Sequence, residues 1–152
     1  MADQDLIKIG RESVEAFSAG NWERFRATLA PEPVYQEIGT GRRIQGRDQI
    51  LEVIQAWKRA FPDAKGTIKN AIASGNTVVL EITWEGTQSG PLPIPGGTIP
   101  PSGKRAVVEA VQVLTCEGNK IKENRHHLDA MGLLEQIGAM PAQAMAMGGR
   151  SA

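Results

Sequence analysis

The chain is predicted to be an α+β protein, a strongly curved antiparallel or mixed sheet, cone-shaped, packed on N-terminal helices around a pocket. Two observations carry this. Apolar residues recur at helical spacing in the first half of the chain and alternate with polar residues, as in strands, in the second. The strands also follow one another through tight turns, which is the order of an α+β fold and not of a doubly wound one. With 152 residues there is enough chain for one hydrophobic core. The expected organisation is a single domain over residues 1–138 and a flexible Met-rich tail over 139–152.

Leu6, Ile9, Val14 and Phe17 form a loose stripe on a first helix from Asp5 to Ala19. Gly20 suits its C-terminal stop, and Asn21 suits the N-cap of a second helix. Trp22, Phe25 and Leu29 mark that helix, expected to end before Pro31. Pro33 to Ile38 reads as a short strand, and Gly39-Thr-Gly41 as a turn into another short extended piece. The clearest helix follows Gly46, with Ile50, Val53, Ile54, Trp57 and Phe61 on one stripe, and Phe61-Pro-Asp63 ends it.

Thr67–Ser74 and Thr77–Thr87 make a hairpin around Gly75-Asn76. In its second strand Val78, Leu80, Ile82, Trp84, Gly86 and Gln88 share one face, expected to be buried, and the other face is expected to be largely wet. The stretch from Ser89 to Gly103 contains Pro91, Pro93, Pro95, Pro100 and Pro101, a loop long enough to be functional or disordered. Strands follow over Arg105–Cys116 and Lys120–Asp129, joined by Glu117-Gly-Asn119, with a closing helix over Met131–Ile137. A twisted sheet of this size curls, and the hollow between it and the helices is the expected ligand site.

Composition excludes several classes of function. Lys plus Arg and Asp plus Glu are 17 each, so no concentrated basic field exists for nucleic acid or an anionic membrane. Arg42, Arg43 and Arg47 are read as a solvated turn beside a helix start. Cys116 is the sole cysteine, which excludes an intrachain disulfide and a cysteine metal cluster and suits a structural residue near a strand end. The N-terminus has no apolar signal region and no apolar run reaches membrane-spanning length, so the cytoplasm is expected. Pro95-Gly-Gly97 does not lie between a strand and a helix and makes no phosphate cradle. No cofactor and no metal are expected.

The chemically unusual stretch is Glu123-Asn-Arg-His-His-Leu-Asp129. Strict alternation sets Ile121, Glu123, Arg125, His127 and Asp129 on one face. Ionisable groups sharing a face with isoleucine must pair, face solvent or serve a site. Two readings stay open: a polar strand end with Asp129 capping the last helix, or a catalytic wall.

These residues, taken together, resemble the SnoaL-like polyketide cyclases of the nuclear-transport-factor-2-like superfamily. The likeness is carried by Glu85-Gly-Thr-Gln-Ser-Gly-Pro-Leu with Ile99-Pro-Pro-Ser-Gly-Lys104, and by Gly118-Asn-Lys-Ile-Lys-Glu, Asp129 and Leu133-Leu-Glu-Gln-Ile-Gly138. Gly46-Arg-Asp-Gln-Ile and Ala60-Phe-Pro-Asp63 also fit, so the motifs span residues 46–138. The resemblance implies a cone-shaped sheet closed by helices, and an acid/base aspartate at the end of the last strand, where Asp129 stands.

The expected activity is then cofactor-independent acid/base chemistry on a small hydrophobic carbonyl compound, an intramolecular aldol closure. Asp129, its pKa raised by burial, would remove a proton beside the carbonyl, with His127 or Gln88 donating to the enolate oxygen. Gln112 is a further donor if its side of the strand faces inward. Trp84, Trp57 and Phe61 would form flat walls, with Tyr35 near the mouth. Two alternatives are carried. In one, Arg125 and Asp129 activate a water with Glu37 as a distant acid, as in small epoxide hydrolases of the superfamily. In the other, the pocket is non-catalytic and binds a hydrophobic metabolite. Resembling proteins imply a homodimer.

Overall fold

The computed structural model describes residues 2–139. Its elements run α1 (Asp3–Ala19), α2 (Trp22–Ala27), β1 (Leu29–Glu37), β2 (Arg42–Gln45), α3 (Arg47–Ala60), β3 (Lys65–Ser74) and β4 (Thr77–Thr87), followed by β5 (Leu92–Ile94), β6 (Gly97–Ile99), β7 (Arg105–Glu117), β8 (Lys120–Leu128) and α4 (Ala130–Gln136). The architecture is α+β. Six strands form one mixed sheet in the order β2-β1-β8-β7-β4-β3, and β5 and β6 pair separately. All described contacts in the large sheet are antiparallel except β1 with β8, which run parallel. The expectation for the tail falls, from residue 140 on, outside the described residues.

Each helix buries the stripe its spacing defines. Leu6 and Val14 of α1 are buried, and Gly10 lies on the sheet, where an added Cβ would sit 3.2 Å from a Leu80 methyl and 3.3 Å from a Leu114 methyl. Gly20 ends α1 in the left-handed region at φ 68°, a conformation that glycine adopts without a Cβ penalty. Asn21 caps α2 by accepting from the Arg24 backbone N–H. Ile50 and Ile54 turn α3 onto the same core.

The second helix is shorter than expected. It stops at Ala27, and Leu29 already belongs to β1. Pro31 and Pro33 are accommodated because the β1–β8 register breaks between Leu29 and Val34, where ladder donors are not required. The Pro-rich stretch after β4 is also more ordered than a plain loop. It holds the β5–β6 hairpin, and Leu92 is buried against Phe61, Ala106, Val108, Leu133 and Ile137.

Gln88 fixes this hairpin. Its buried amide donates to the carbonyls of Gly90 and Pro100, each at 3.1 Å, and accepts from the Ser102 N–H at 3.2 Å. These are three backbone groups that the chain itself leaves unpaired.

Along β4 and β7 the inward residues are Val78, Leu80, Ile82, Trp84 and Gly86, facing Ala106, Val108, Ala110, Gln112, Leu114 and Cys116. The β4 face thus lies as its alternation predicts. Two apolar clusters result, one under α1–α3 and one around β5 and α4, and Trp84 packs against both.

Gln88→Leu removes the partners of three backbone groups and is expected to lower stability by roughly 1–3 kcal/mol. Limited proteolysis should then cut within residues 89–103 while chemical denaturation registers the loss; unchanged protease resistance would refute the anchoring role.

Candidate functional site

The curled sheet and the helices line a cavity that is open on one side. Its walls are largely aromatic and aliphatic: Phe17 and Phe25 from α1 and α2, Ile54 and Trp57 from α3, Phe61, and Trp84 from the sheet. Most of the polar groups lie on one wall, where β1, β8 and β7 run side by side; Ser13 and Glu85 line the cavity from α1 and β4. Glu37 pairs with His126 in register, and His126 with Gln112. Two residues along, Tyr35 pairs with Asn124, and Asn124 with Leu114.

A bulge decides which residues of β8 reach this wall. Cys116 pairs with Ile121, but Thr115 pairs with Glu123, so Lys122 is an extra residue and the alternation changes phase there. Ile121 faces the core, and beyond the bulge Asn124, His126 and Leu128 line the cavity. The expectation that Ile121, Glu123, Arg125, His127 and Asp129 share a face is corrected accordingly. Arg125 pairs with Glu123 away from the cavity lining, and His127 is exposed. Asp129 is exposed rather than buried in an apolar pocket; it caps α4, accepting from the Gly132 N–H at 2.9 Å.

The other expected residues divide. Trp84, Trp57, Phe61, Tyr35 and Gln112 all line the cavity. Gln88 does not; its amide is committed to the loop behind β4. Glu37, expected only as a distant acid, is at the centre of the polar wall.

Glu37 is 0% exposed, and its carboxylate accepts five hydrogen bonds. Oε1 accepts from Thr40 Oγ1 at 2.6 Å and from Arg42 Nε and Nη2 at 3.0 and 2.7 Å. Oε2 accepts from Tyr35 Oη at 3.0 Å and Trp57 Nε1 at 2.8 Å. The local sequence builds most of this cradle: the Gly39-Thr-Gly41 turn sets Arg42 directly opposite Glu37 on β2 and leaves Thr40 between them. Burial pushes the carboxyl up, but Thr40, Arg42 and Trp57 outweigh it and hold Glu37 below its ordinary range.

His126 joins this network through Tyr35, whose hydroxyl lies 2.9 Å from Nδ1. On the other side the Trp84 indole N–H points at Nε2 from 3.2 Å. An indole nitrogen only donates, so Nε2 must be the unprotonated nitrogen and Nδ1 carries the hydrogen. Nδ1–H therefore donates to Tyr35, and Tyr35 donates to Glu37. Burial drives the His126 pKa down to about 4, against the pull of the Glu37 charge and with His127 adding repulsion. Burial, then the Glu37 charge, also raises Tyr35 well above the usual phenol value. The ring is thus neutral at pH 7, with a lone pair on Nε2 in the cavity.

Gln112 and Asn124 complete the wall. Their oxygens, Oε1 and Oδ1, are buried and have no hydrogen-bond partner. A buried acceptor left unmade costs roughly 1–3 kcal/mol, so the pair represents a stability cost built into the cavity. Among the described residues no group of three or more His, Cys, Asp and Glu side chains converges as a metal site, and no helix is long and apolar enough to cross a membrane.

Sequence reasoning missed Glu37 as an anchor, and it missed His126 and Asn124. Alternation within Pro33–Ile38 does place Tyr35 and Glu37 on one face; the bulge at Lys122 leaves no comparable local signal.

A curled mixed sheet closed by helices over an apolar pocket is the ketosteroid isomerase-like arrangement of nuclear-transport-factor-2-like proteins. Within it, the chain belongs to the SnoaL-like polyketide cyclase family, whose model matches residues 8–137. A SnoaL-like protein from Jannaschia sp. CCS1 superposes with a TM-score of 0.81 at 21% identity, covering 91% of this chain and 95% of that one. IdmH from Streptomyces antibioticus, whose assignment as a polyketide cyclase is provisional, gives 0.72 at 25% identity over 86% and 96%. A protein of ketosteroid isomerase-like fold from Catenulispora acidiphila, solved with trimethylamine, gives 0.73 at 21% over 89% and 95%. No curated protein matches the chain.

The half-buried histidine makes stability depend on pH. Unfolded, His126 takes a proton near 6.5; folded, only near 4. Between those values the unfolded chain binds more protons, so stability falls as pH drops through the window, by up to about 3 kcal/mol, and Glu37 extends the loss to lower pH. Urea unfolding from pH 7 to pH 4 should show this slope, and His126→Gln should flatten it; an unchanged slope in the variant would exclude His126 as the titrating group. Arg42→Met leaves the Glu37 carboxylate uncompensated and is expected to cost about 3–5 kcal/mol by the same measurement.

Proposed function

We propose that the protein is a cofactor-independent acid/base enzyme acting on a small hydrophobic carbonyl compound by intramolecular aldol chemistry, with His126 as the base. The observation that carries this reading is the Glu37–Tyr35–His126 chain, which ends in an unprotonated Nε2 on the wall of an apolar cavity. A ligand that displaces the Trp84 N–H from Nε2 exposes the lone pair to a carbon acid. His126 takes the proton beside the carbonyl, and the imidazolium so formed is stabilised through Tyr35 by the fixed charge of Glu37. The indole N–H, released from Nε2, is a donor for the developing enolate oxygen. The enolate carbon then attacks a second carbonyl of the same molecule, and the resulting alkoxide takes the proton back from Nε2. Trp57, Phe61 and Phe17 hold the flat skeleton by contact. Family membership supports the substrate class, as does the polyketide assignment of IdmH.

A second reading has its own support. Glu37 is saturated with donors and the Nε2 lone pair is already met by Trp84, so the resting network is closed, as suits a protein that binds and carries a hydrophobic metabolite. A homodimer through the outer sheet face is supported by Ile72 and Val107, both exposed there.

Enolisation separates the two readings directly. Wild-type protein should catalyse exchange of the α-hydrogens of a naphthyl methyl ketone with D₂O, followed by NMR. His126→Gln should lose roughly 10²–10⁴-fold and Asp129→Asn should keep the activity. Loss in Asp129→Asn with retention in His126→Gln would reverse the assignment, and a bound ketone that never exchanges would establish the carrier.

A further inference from the structure

We propose that the outer groove where α2 meets α3 is a second binding site, and that it takes a small aromatic carboxylate. The groove is lined by Trp22, Gln55, Lys58, Arg59 and Pro62, none of which lines the cavity. It therefore stands apart from the chemistry assigned to His126.

The spacing of α3 builds the groove. Ile50 and Ile54 turn into the core, while Gln55, Lys58 and Arg59, three and four residues apart, share another face. Trp22 opens α2 beside that face, and Pro62 follows the end of α3. Two of these side chains are held in place. Trp22 packs on the core, edge-on to Phe17 with ring centroids 5.9 Å apart. Lys58 Nζ donates to the carbonyls of Ser18 at 2.9 Å and Ala64 at 2.7 Å, and lies 5.6 Å from the centre of the Phe17 ring.

Donors meet in this groove without acceptors to match them. Elsewhere Arg24, Arg42, Arg105 and Arg125 each pair with a carboxylate, and Trp57 and Trp84 spend their indole N–H groups on Glu37 and His126. Among the described residues, the Arg59 guanidinium, the Gln55 amide and the Trp22 N–H have no partner. Two bonds to carbonyls leave the Lys58 ammonium one further N–H. Arginine, lysine and indole nitrogens can only donate, so the group they fit is an acceptor, and two cations make it an anion.

Charge and shape narrow the choice. Asp63, bound to the Thr87 N–H at 2.7 Å, acts on Lys58 and offsets one of the two cations. The net charge that remains suits a monoanion better than a phosphate dianion. A planar guanidinium meets a carboxylate with two parallel bonds, and the Trp22 indole and Pro62 give an aromatic ring an apolar floor. Five residues are too few for a protein partner, whose interface takes about 800 Å² on each side.

The indole N–H signals in proton–nitrogen correlation spectra of the intact protein test this. The chain has three tryptophans, one in the groove and two at the cavity, and Trp22→Phe identifies the groove signal. Titration with 2-naphthoate at pH 7 should shift the Trp22 signal saturably. The amide 2-naphthamide, similar in shape but uncharged, should bind about tenfold more weakly there, and so should acetate, which has no ring. Arg59 is exposed, so Arg59→Gln should keep the wild-type thermal midpoint and weaken naphthoate at Trp22 about tenfold. Added salt should weaken naphthoate and not naphthamide. A Trp22 signal that does not move would overturn the site, and movement of Trp57 and Trp84 alone would place the carboxylate in the cavity instead. Equal binding of naphthoate and naphthamide, an equal response of the two to salt, or unchanged binding in Arg59→Gln would overturn the anion assignment. Acetate binding as tightly as naphthoate would overturn the aromatic one.

Discussion

The Glu37 carboxylate organises the rest of the site. A charge with no exposure to water is tolerated only when its lone pairs are met, and here every donor comes from a different piece of the fold. Tyr35 lies on the same strand, Thr40 in the following turn, Arg42 on the returning strand, and Trp57 on α3. Satisfying one carboxylate thus fixes the hairpin β1–β2, docks α3 against it, and orients Tyr35 toward β8. His126 is placed by that chain of constraints as much as by its own strand.

The same arrangement sets the chemical state of the wall. An apolar enclosure disfavours the charged imidazole, and the indole of Trp84 decides which nitrogen stays bare. Trp84 itself is held by close packing. An added Cβ on Gly66 would meet its ring at 2.6 Å, and Phe17 contacts it edge-on with ring centroids 5.2 Å apart. A residue without a side chain on β3 is therefore what lets the indole lie flat across the sheet and reach the histidine.

Against this satisfied network, the open oxygens of Gln112 and Asn124 are a local departure from the rule that buried polar groups are paired. Departures of that kind are retained where function asks for them, and they cost folding stability. The contrast with Gln88 shows two fates of one residue type: there the amide ties down a Pro-rich segment, and here its oxygen is buried without a partner. Family membership accounts for the cone and its pocket, while the chemistry is set by which side chains this chain puts on the inner wall.

Much of the fold was legible in the sequence because it depends on local periodicity. The stripes on α1 and α3, the buried face of β4, the turns at Gly75-Asn76 and Gly118-Asn119, and the cap at Asp129 are all readable within a few residues of themselves. So were Trp57, Phe61 and Trp84 as cavity walls, since large aromatic residues on inward faces have few other places to go, whereas Tyr35, expected near the mouth, is buried in the polar network. The polar wall was not legible, for a physical reason. A bulge is a mismatch in residue count between two paired strands, and no property of β8 alone reveals that Lys122 is the extra residue. That single residue exchanges His127 for His126 and Arg125 for Asn124. The Glu37 network is likewise a tertiary product, because its donors converge only when strand, turn and helix have packed. Composition and pattern determined that this chain closes a curled sheet over an apolar pocket; only the register between strands decided which polar groups look into it.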